Sequence, residues 1–162
     1  MILRDELPGE GPNLAALTDL AFKGKAYADG SEGSILEGLR SAGDLVFAKV
    51  AEIDGRAVGH VAFSPAWIGG EEGWLGLGPI SVHPDHQRQG IGTSLMDAAI
   101  AWSAGSKGIV LLGDPGYYGR FGFVADCGLT FLEVPSAYVQ ALPHGPLPKG
   151  EITFAPALQA AG

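Results

Sequence analysis

Cysteine is almost missing from this sequence of 162 residues, which carries only Cys127. No intrachain disulfide can form, and a zinc site built on several thiolates is excluded. A reducing compartment is the natural setting. DCGLT around Cys127 reads as a strand flank with a partly buried Cys, because a nucleophilic thiol wants a His or a helix N-terminus beside it. Cations are also scarce. Ten Lys and Arg against 18 Asp and Glu leave a formal charge of −8, which argues against nucleic acid or an anionic membrane as partner and admits a neutral or cationic small substrate. No apolar run approaches the roughly 20 residues that span a bilayer. MILRDELPGEGP has acids where a signal peptide needs a basic start and an apolar run, so a cytoplasmic protein is expected. The four histidines lack metal-ligand spacing: His83 and His86 share a loop without a third ligand, and no metal is expected. GxxxxGK[ST] is absent and no GxGxxG opens a helix, so nucleotide hydrolysis and dinucleotide redox chemistry lose their usual support. Internal repeats are absent.

Apolar residues and glycine are plentiful. At 46% hydrophobic, the chain can bury a core without metal or disulfide, and one domain over residues 1–162 is expected. NLAALTDLAF (13–22) puts Leu14, Leu17 and Ala21 on one helical face, and SILEGLRS (34–41) is a weaker second helix stopped by Gly43 and Asp44. The period then changes. DLVFAKVAEI (44–53) and AVGHVAFSPAWI (57–68) are β-rich runs joined through Asp54-Gly55-Arg56, a strong hairpin signal. A loop at 69–73 precedes WLGLGPISV (74–82), an extended run. Pro79 offers no N–H to a ladder, so a bulge or a gap between strands is expected there. After HPDHQRQGIG comes a helix with Ile91, Leu95, Ala98, Ala99 and Trp102 on one face, ended by Ala104-Gly105. GIVLL (108–112) reads as a buried central strand, and strand, helix, strand implies a right-handed parallel crossover. Residues 113–122 read as loop or short helix, 123–134 as two strand pieces, and EITFAP as an edge strand.

QRQGIG (87–92) poses the functional question. A plain turn needs neither the charge of Arg88 nor two glycines. A helix starting at about Gly90 leaves its first N–H groups without intrahelical partners and carries partial positive charge there. Gly90 and Gly92 let a phosphate approach the backbone, and Arg88 adds a full charge. These residues form a candidate pyrophosphate cradle.

Gln87-Arg88-Gln89-Gly90-Ile91-Gly92 resembles the Q/R-x-x-G-x-G/A signature of the GNAT superfamily of N-acetyltransferases. Residues 74–82 are similar to that family's bulged fourth strand, and YYGRFGF (117–123) resembles its Tyr-x-x-x-Gly-Phe segment. The order of elements agrees as far as about Phe131, and residues 135–162 resemble the Pro-containing C-terminal extension of a bacterial subgroup. The resemblance implies an α/β GNAT-like fold, a mixed central sheet with a splayed strand pair flanked by helices. It implies acetyl transfer from acetyl-CoA, as cosubstrate, to an amine of a small molecule or a protein. Carried over by position, Gln87, Arg88, Gln89, Gly90, Ile91, Gly92 and Thr93 would hold the CoA pyrophosphate. The backbone of Ile80, Ser81 and Val82 would pair with the pantetheine arm, whose strand-like amides can fill the gap at Pro79. Relatives of this family are often dimers, so a homodimer is an expectation. A rival of another class is a CoA-binding or protein-interaction module that keeps the cradle without catalysing transfer.

Tyr118 matches the family's proton donor, five residues before Phe123. A phenol near pKa ~10 can protonate a leaving thiolate without ionising at neutral pH. Only Asp114-Pro115-Gly116 lies before Tyr117-Tyr118, where the family has a longer helix. Attack on the thioester makes an oxyanion that N–H groups near Val82 could stabilise. The amine must first lose a proton. No Glu lies within 74–82, which leaves His60, Glu71, Glu72, His83 and Asp114 as candidate bases, none favoured over the others. Trp67 and Trp74 either pack in the core or line an acceptor pocket by their ring faces, with core packing the expected role.

Overall fold

The computed structural model describes residues 1–25 and 30–159. In chain order its elements are β1 (Ile2–Arg4), α1 (Gly11–Phe22), α2 (Glu32–Ser41), β2 (Phe47–Ile53), β3 (Arg56–Ile68), β4 (Glu71–Val82), α3 (Ile91–Trp102), β5 (Gly108–Leu112), α4 (Pro115–Tyr118), β6 (Leu129–Thr130), β7 (Val139–Pro143), β8 (Gly150–Phe154) and α5 (Pro156–Gln159). Six of the strands run side by side with β1 at one edge, in the order β1, β2, β3, β4, β5, β7. Every neighbouring pair in that row is antiparallel except β4 and β5, which run parallel across the α3 crossover.

Alternation along β3 explains the two-sided core. Val61 and Phe63 pack with Ile91, Leu95 and Met96 of α3, while Ala62 between them packs with Leu14, Leu17 and Leu36 of α1 and α2. A strand buried on both faces has no need of a polar side, hence the nearly unbroken apolar run. At Gly59 an added Cβ would lie 3.0 Å from both Ile91 Cγ2 and Leu95 Cδ1. Its absence lets α3 lie close on the sheet, which sets the position of the helix's first turn. On the opposite face, Asp19 Oδ1 accepts the Gly33 N–H at 2.8 Å and ties α1 to the start of α2.

Several expectations change. Residues 69–73 are not all loop: Gly69 and Gly70 make a two-residue turn, and β4 begins at Glu71. The second strand piece expected within 123–134 reduces to a single bridge, Val124 to Ala141, beside the short β6. The segment EITFAP forms β8, which is no edge strand, because it lies between β3 and β6 and bonds to both. β1 and β7 had no sequence signal: three residues are too few for periodicity, and VQALP ends in proline. Trp74 is 2% exposed and belongs to the core, as expected.

Candidate active site

β4 bonds to β3 along its length, with a register shift opposite Ala62 where Gly78 and Pro79 fall. Its other side is different. Pairing with β5 runs from Trp74–Gly108 to Gly76–Val110 and stops there. Beyond that point β5 continues to pair with β7 up to Leu112 and Val139, while residues 77–82 of β4 face away from any strand on that side. Two parallel strands thus part into a cleft whose one wall is the backbone of Ile80, Ser81 and Val82. An unpaired strand edge presents N–H and C=O groups at strand spacing, which suits an extended ligand with amides of its own.

At the mouth of this cleft a 3₁₀ turn, Pro84–His86, reverses the chain, and the His83 ring accepts the Asp85 N–H at 3.1 Å. Gln87 Nε2 donates to the Val82 carbonyl at 3.2 Å, which fastens the following loop to the end of β4. Arg88 and Gly90 both take left-handed backbone conformations, φ 64° and 82°. An added Cβ at Gly90 would meet no atom within 4 Å, so its requirement is conformational. Ser94 N–H donates to the Gly90 carbonyl at 3.0 Å and opens the α3 ladder, so the amides of Ile91, Gly92 and Thr93 lack intrahelical partners. Arg88, Gln89, Gly90 and Thr93 are exposed around them, whereas the Ile91 side chain is 3% exposed and serves as the helix's anchor in the core. The end of a three-turn helix, a neighbouring guanidinium and an open backbone are the elements of a candidate anion site beside the cleft.

The two tyrosines of α4 point to different places. Asp114 Oδ1 accepts the Gly116 N–H at 2.9 Å and caps this short helix. The Tyr117 hydroxyl lies 3.0 Å from where a Cβ on Gly92 would sit, so it reaches the start of α3; Val82 Cγ2 lies 3.9 Å from that same position. Burial pushes the Tyr117 phenol up, against the opposing pull of Arg120, whose guanidinium stacks 4.5 Å from its ring. Tyr118 instead lays its ring on Gly113, where a Cβ would come within 2.4 Å of Cε2, and packs edge-on to Phe123 at 5.9 Å. It is half-buried at the C-terminal end of β5, on the far wall of the cleft from Ser81.

The proposed bases separate cleanly. Glu71 is exposed and paired to Lys107 at 2.7 Å, at the end of β4 remote from Val82, and Glu72 is exposed beside it. His83 and Asp114 are spent as caps. His60 is 0% exposed, directly opposite Ser81 across the β3–β4 ladder. Its Nε2 lies 2.7 Å from Glu6 Oε1, and Arg40 of α2 grips the same carboxylate through two bonds of 2.6 and 3.0 Å. Burial raises the Glu6 carboxyl, but hydrogen bonds from His60 and Arg40 outweigh it and hold the group at about 2. Glu6, 54 residues away from His60, carried no sequence signal. Neither did Thr18 of α1, whose Oγ1 lies 3.4 Å from Ser81 Oγ. Among the described residues, no group of three His, Cys, Asp or Glu side chains could hold a metal ion, and no helix is long and apolar enough to cross a membrane.

Residues 43–125 match the family model of the acetyltransferase (GNAT) domain. The N-acetyltransferase YhbS of Escherichia coli K12 is 35% identical over 127 residues, which cover 76% of this chain and 73% of YhbS. A GNAT family acetyltransferase from Brucella melitensis, solved in complex with acetyl-CoA, is 43% identical, covers 97% of each chain and superposes with a TM-score of 0.86. The structure of E. coli YhbS in complex with CoA superposes with a TM-score of 0.88 at 27% identity, over 97% of this chain and 91% of that one.

Proposed function

The chain belongs to the GNAT superfamily of N-acetyltransferases, and from that membership we propose how its own residues hold acetyl-CoA and pass the acetyl group to an amine. It is an acetyl-CoA-dependent acyltransferase; the assignment of roles to residues is ours. One observation carries it: the unpaired half of β4 leads, through the turn and loop of residues 83–90, to the first α3 amides, which have no intrahelical partners. A strand edge followed by a helix N-terminus is the complement of a molecule with an amide-bearing arm and a pyrophosphate. The backbone of Ile80, Ser81 and Val82 takes the arm. The amides of Gly90, Ile91, Gly92 and Thr93, with Arg88 and Gln89, take the pyrophosphate, while Gln87 holds the loop against β4. This local positive end explains how a chain of charge −8 binds a polyanion: the field at the cradle decides, and the net charge does not.

Acetyl transfer forms a C–N bond and breaks the C–S bond of the thioester, so the leaving thiolate must be protonated. Tyr118 is the donor we assign. Its ring is clamped between Gly113 and Phe123, a fixed placement of the kind general acid catalysis requires. Residues 1–162 act as one domain in this reading, supported by β7 and β8 of the extension joining the main sheet. A cytoplasmic setting fits the lone, half-buried Cys127. Calorimetry with acetyl-CoA tests the cradle: the wild type should bind and Gly90→Glu, whose carboxylate repels the pyrophosphate, should not. Thiol release in the presence of tyramine, spermidine or an alanyl peptide then tests transfer. A wild type that binds no acetyl-CoA overturns the assignment of the cleft.

A further inference from the structure

The acceptor amine must shed a proton before it attacks, because an alkylamine is mostly ammonium near neutral pH. β4 provides no carboxylate or imidazole for this along 74–82. The face of the sheet under α1 and α2 does. Ser81 stands on the unpaired half of β4, its side chain turned to that face, 4% exposed and in reach of Thr18. Thr18 donates its own proton to the Leu14 carbonyl at 2.8 Å, so toward Ser81 it can only accept, at a long 3.4 Å. That loose tie leaves the Ser81 hydroxyl able to turn. Directly opposite is His60, at the cross-strand spacing of about 5 Å between Cβ atoms.

The chemistry of His60 is set by Glu6. An ionised carboxylate only accepts hydrogen bonds, so Nε2 carries the hydrogen and the lone pair of the neutral ring is on Nδ1. Among the described residues Nδ1 is buried and bonds to no protein group. A buried acceptor left unpaired is destabilising, a cost that is tolerable where a substrate or a relayed proton completes it. The charged group in contact with the ring is Glu6; Arg40 holds that carboxylate, and Glu10 acts electrostatically on both Glu6 and Arg40. Its cross-strand neighbours on β2 and β4 are Val50 and Ser81, and Thr18 of α1 touches Ser81; none of the three carries a charge.

We propose that Ser81 and His60 form the path by which the acceptor ammonium is deprotonated: the Ser81 hydroxyl takes a proton from the amine as it passes its own to His60 Nδ1, and Glu6 stabilises the resulting imidazolium. This rests on the acetyl-transfer reading above. The proton balance closes. The ammonium gives one proton to His60, which is lost to solvent after turnover. The free amine attacks the carbonyl carbon, the C–S bond breaks, and the thiolate takes a proton from Tyr118, which is replenished by the second proton leaving the amide nitrogen. One proton is released per turnover. Ser81 is the group that touches the substrate; His60 and Glu6 act through it as positioning residues.

Two measurements test this. In the acetyl-CoA complex of the full chain, ¹⁵N NMR of labelled imidazole, with His60 assigned by replacing the other three histidines, should show a neutral ring protonated at Nε2 that gains a proton at Nδ1 as pH falls. A ring protonated at Nδ1, or one that never titrates while the protein stays folded, overturns the proposal whether or not any amine is turned over. Kinetics with whichever of tyramine, spermidine or the alanyl peptide is acetylated give the second test. Ser81→Ala and His60→Gln should each lower kcat roughly 10²-fold, abolish the acid limb of the pH profile and leave acetyl-CoA affinity at the wild-type level, while Ser81→Thr restores the rate. An arylamine, already neutral at pH 7, should lose little. A His60→Gln enzyme with the wild-type pH profile refutes the path; loss of acetyl-CoA binding by the wild type would instead refute the reading beneath it.

Discussion

Substituting Gly113 by alanine asks whether the position of Tyr118 matters to the reaction. An added Cβ lies 2.4 Å from Tyr118 Cε2 and 3.0 Å from Cδ2, with Leu111 Cδ1 at 3.5 Å behind. Contacting carbons stay about 3.5 Å apart or more, so the ring must retreat by roughly 1 Å. It has little room, since Tyr117 abuts it edge-on at 4.9 Å and Phe123 at 5.9 Å. Gly113 is not among the residues with positive φ, so the backbone tolerates alanine and the clash is the whole perturbation. Overpacking of this kind costs about 1–3 kcal/mol of stability. A 1 Å displacement of a reacting group costs roughly 10²-fold in rate. The expected Gly113→Ala enzyme therefore binds acetyl-CoA normally and has kcat reduced about 10²-fold. If the loss runs through the phenol, Gly113→Ala combined with Tyr118→Phe should be no slower than Tyr118→Phe alone. Steady-state kinetics, calorimetry and urea unfolding on the three variants decide it. Should stability fall while kcat holds, ring placement is irrelevant and Tyr118 is not the proton donor.

Acid should expose the Glu6 cluster. The folded-state carboxyl titrates at about 2 instead of 4.5, so its contribution is present above pH 4.5 and is lost as pH falls toward 2. The full difference corresponds to roughly 3 kcal/mol. Urea unfolding at pH 6 and pH 3 should show the wild type losing about 2 kcal/mol more than Glu6→Gln; parallel losses would contradict the network. Gly92→Ala places a Cβ 3.0 Å from the Tyr117 hydroxyl at the opening of α3. Acetyl-CoA binding should weaken about tenfold, roughly 1.4 kcal/mol, with part of the loss recovered by Tyr117→Phe; unaltered affinity by calorimetry would move the pyrophosphate elsewhere. Glu71→Gln removes an exposed pair with Lys107. Turnover should be unchanged and stability should shift by less than about 1 kcal/mol, and a slower enzyme would reinstate Glu71 as the base.

Much of the candidate site's framework was legible because its signals are local. Gly90 and Gly92 before an apolar helical stripe announce a helix start open to an anion, and Pro79 announces a strand that cannot pair fully; both properties belong to residues adjacent in sequence. The α3 start and the half-paired β4 follow directly. What failed was also local in origin. β1 and β7 are short strands with no hydrophobic period of their own, formed because β2 and β5 offered edges to pair with. The loop expected at 69–73 shortened because Glu71 and Glu72 can face solvent while their backbone bonds to β3.

The choice among the candidate bases was beyond any reading along the chain. His60, Glu71, Glu72, His83 and Asp114 are chemically admissible from residue type alone. Their standing came from neighbours distant in sequence: Glu6 and Arg40 around His60, Lys107 beside Glu71, and the backbone amides that occupy His83 and Asp114. The same holds for the tyrosine pair, whose adjacent side chains diverge, one toward Gly92 and one onto Gly113. The sequence by itself determined the longer helices and strands and the turns between them, since turn chemistry and hydrophobic period act over a few residues. Only the tertiary structure decided which titratable groups meet, because burial and hydrogen bonding across the sheet depend on strand order and register.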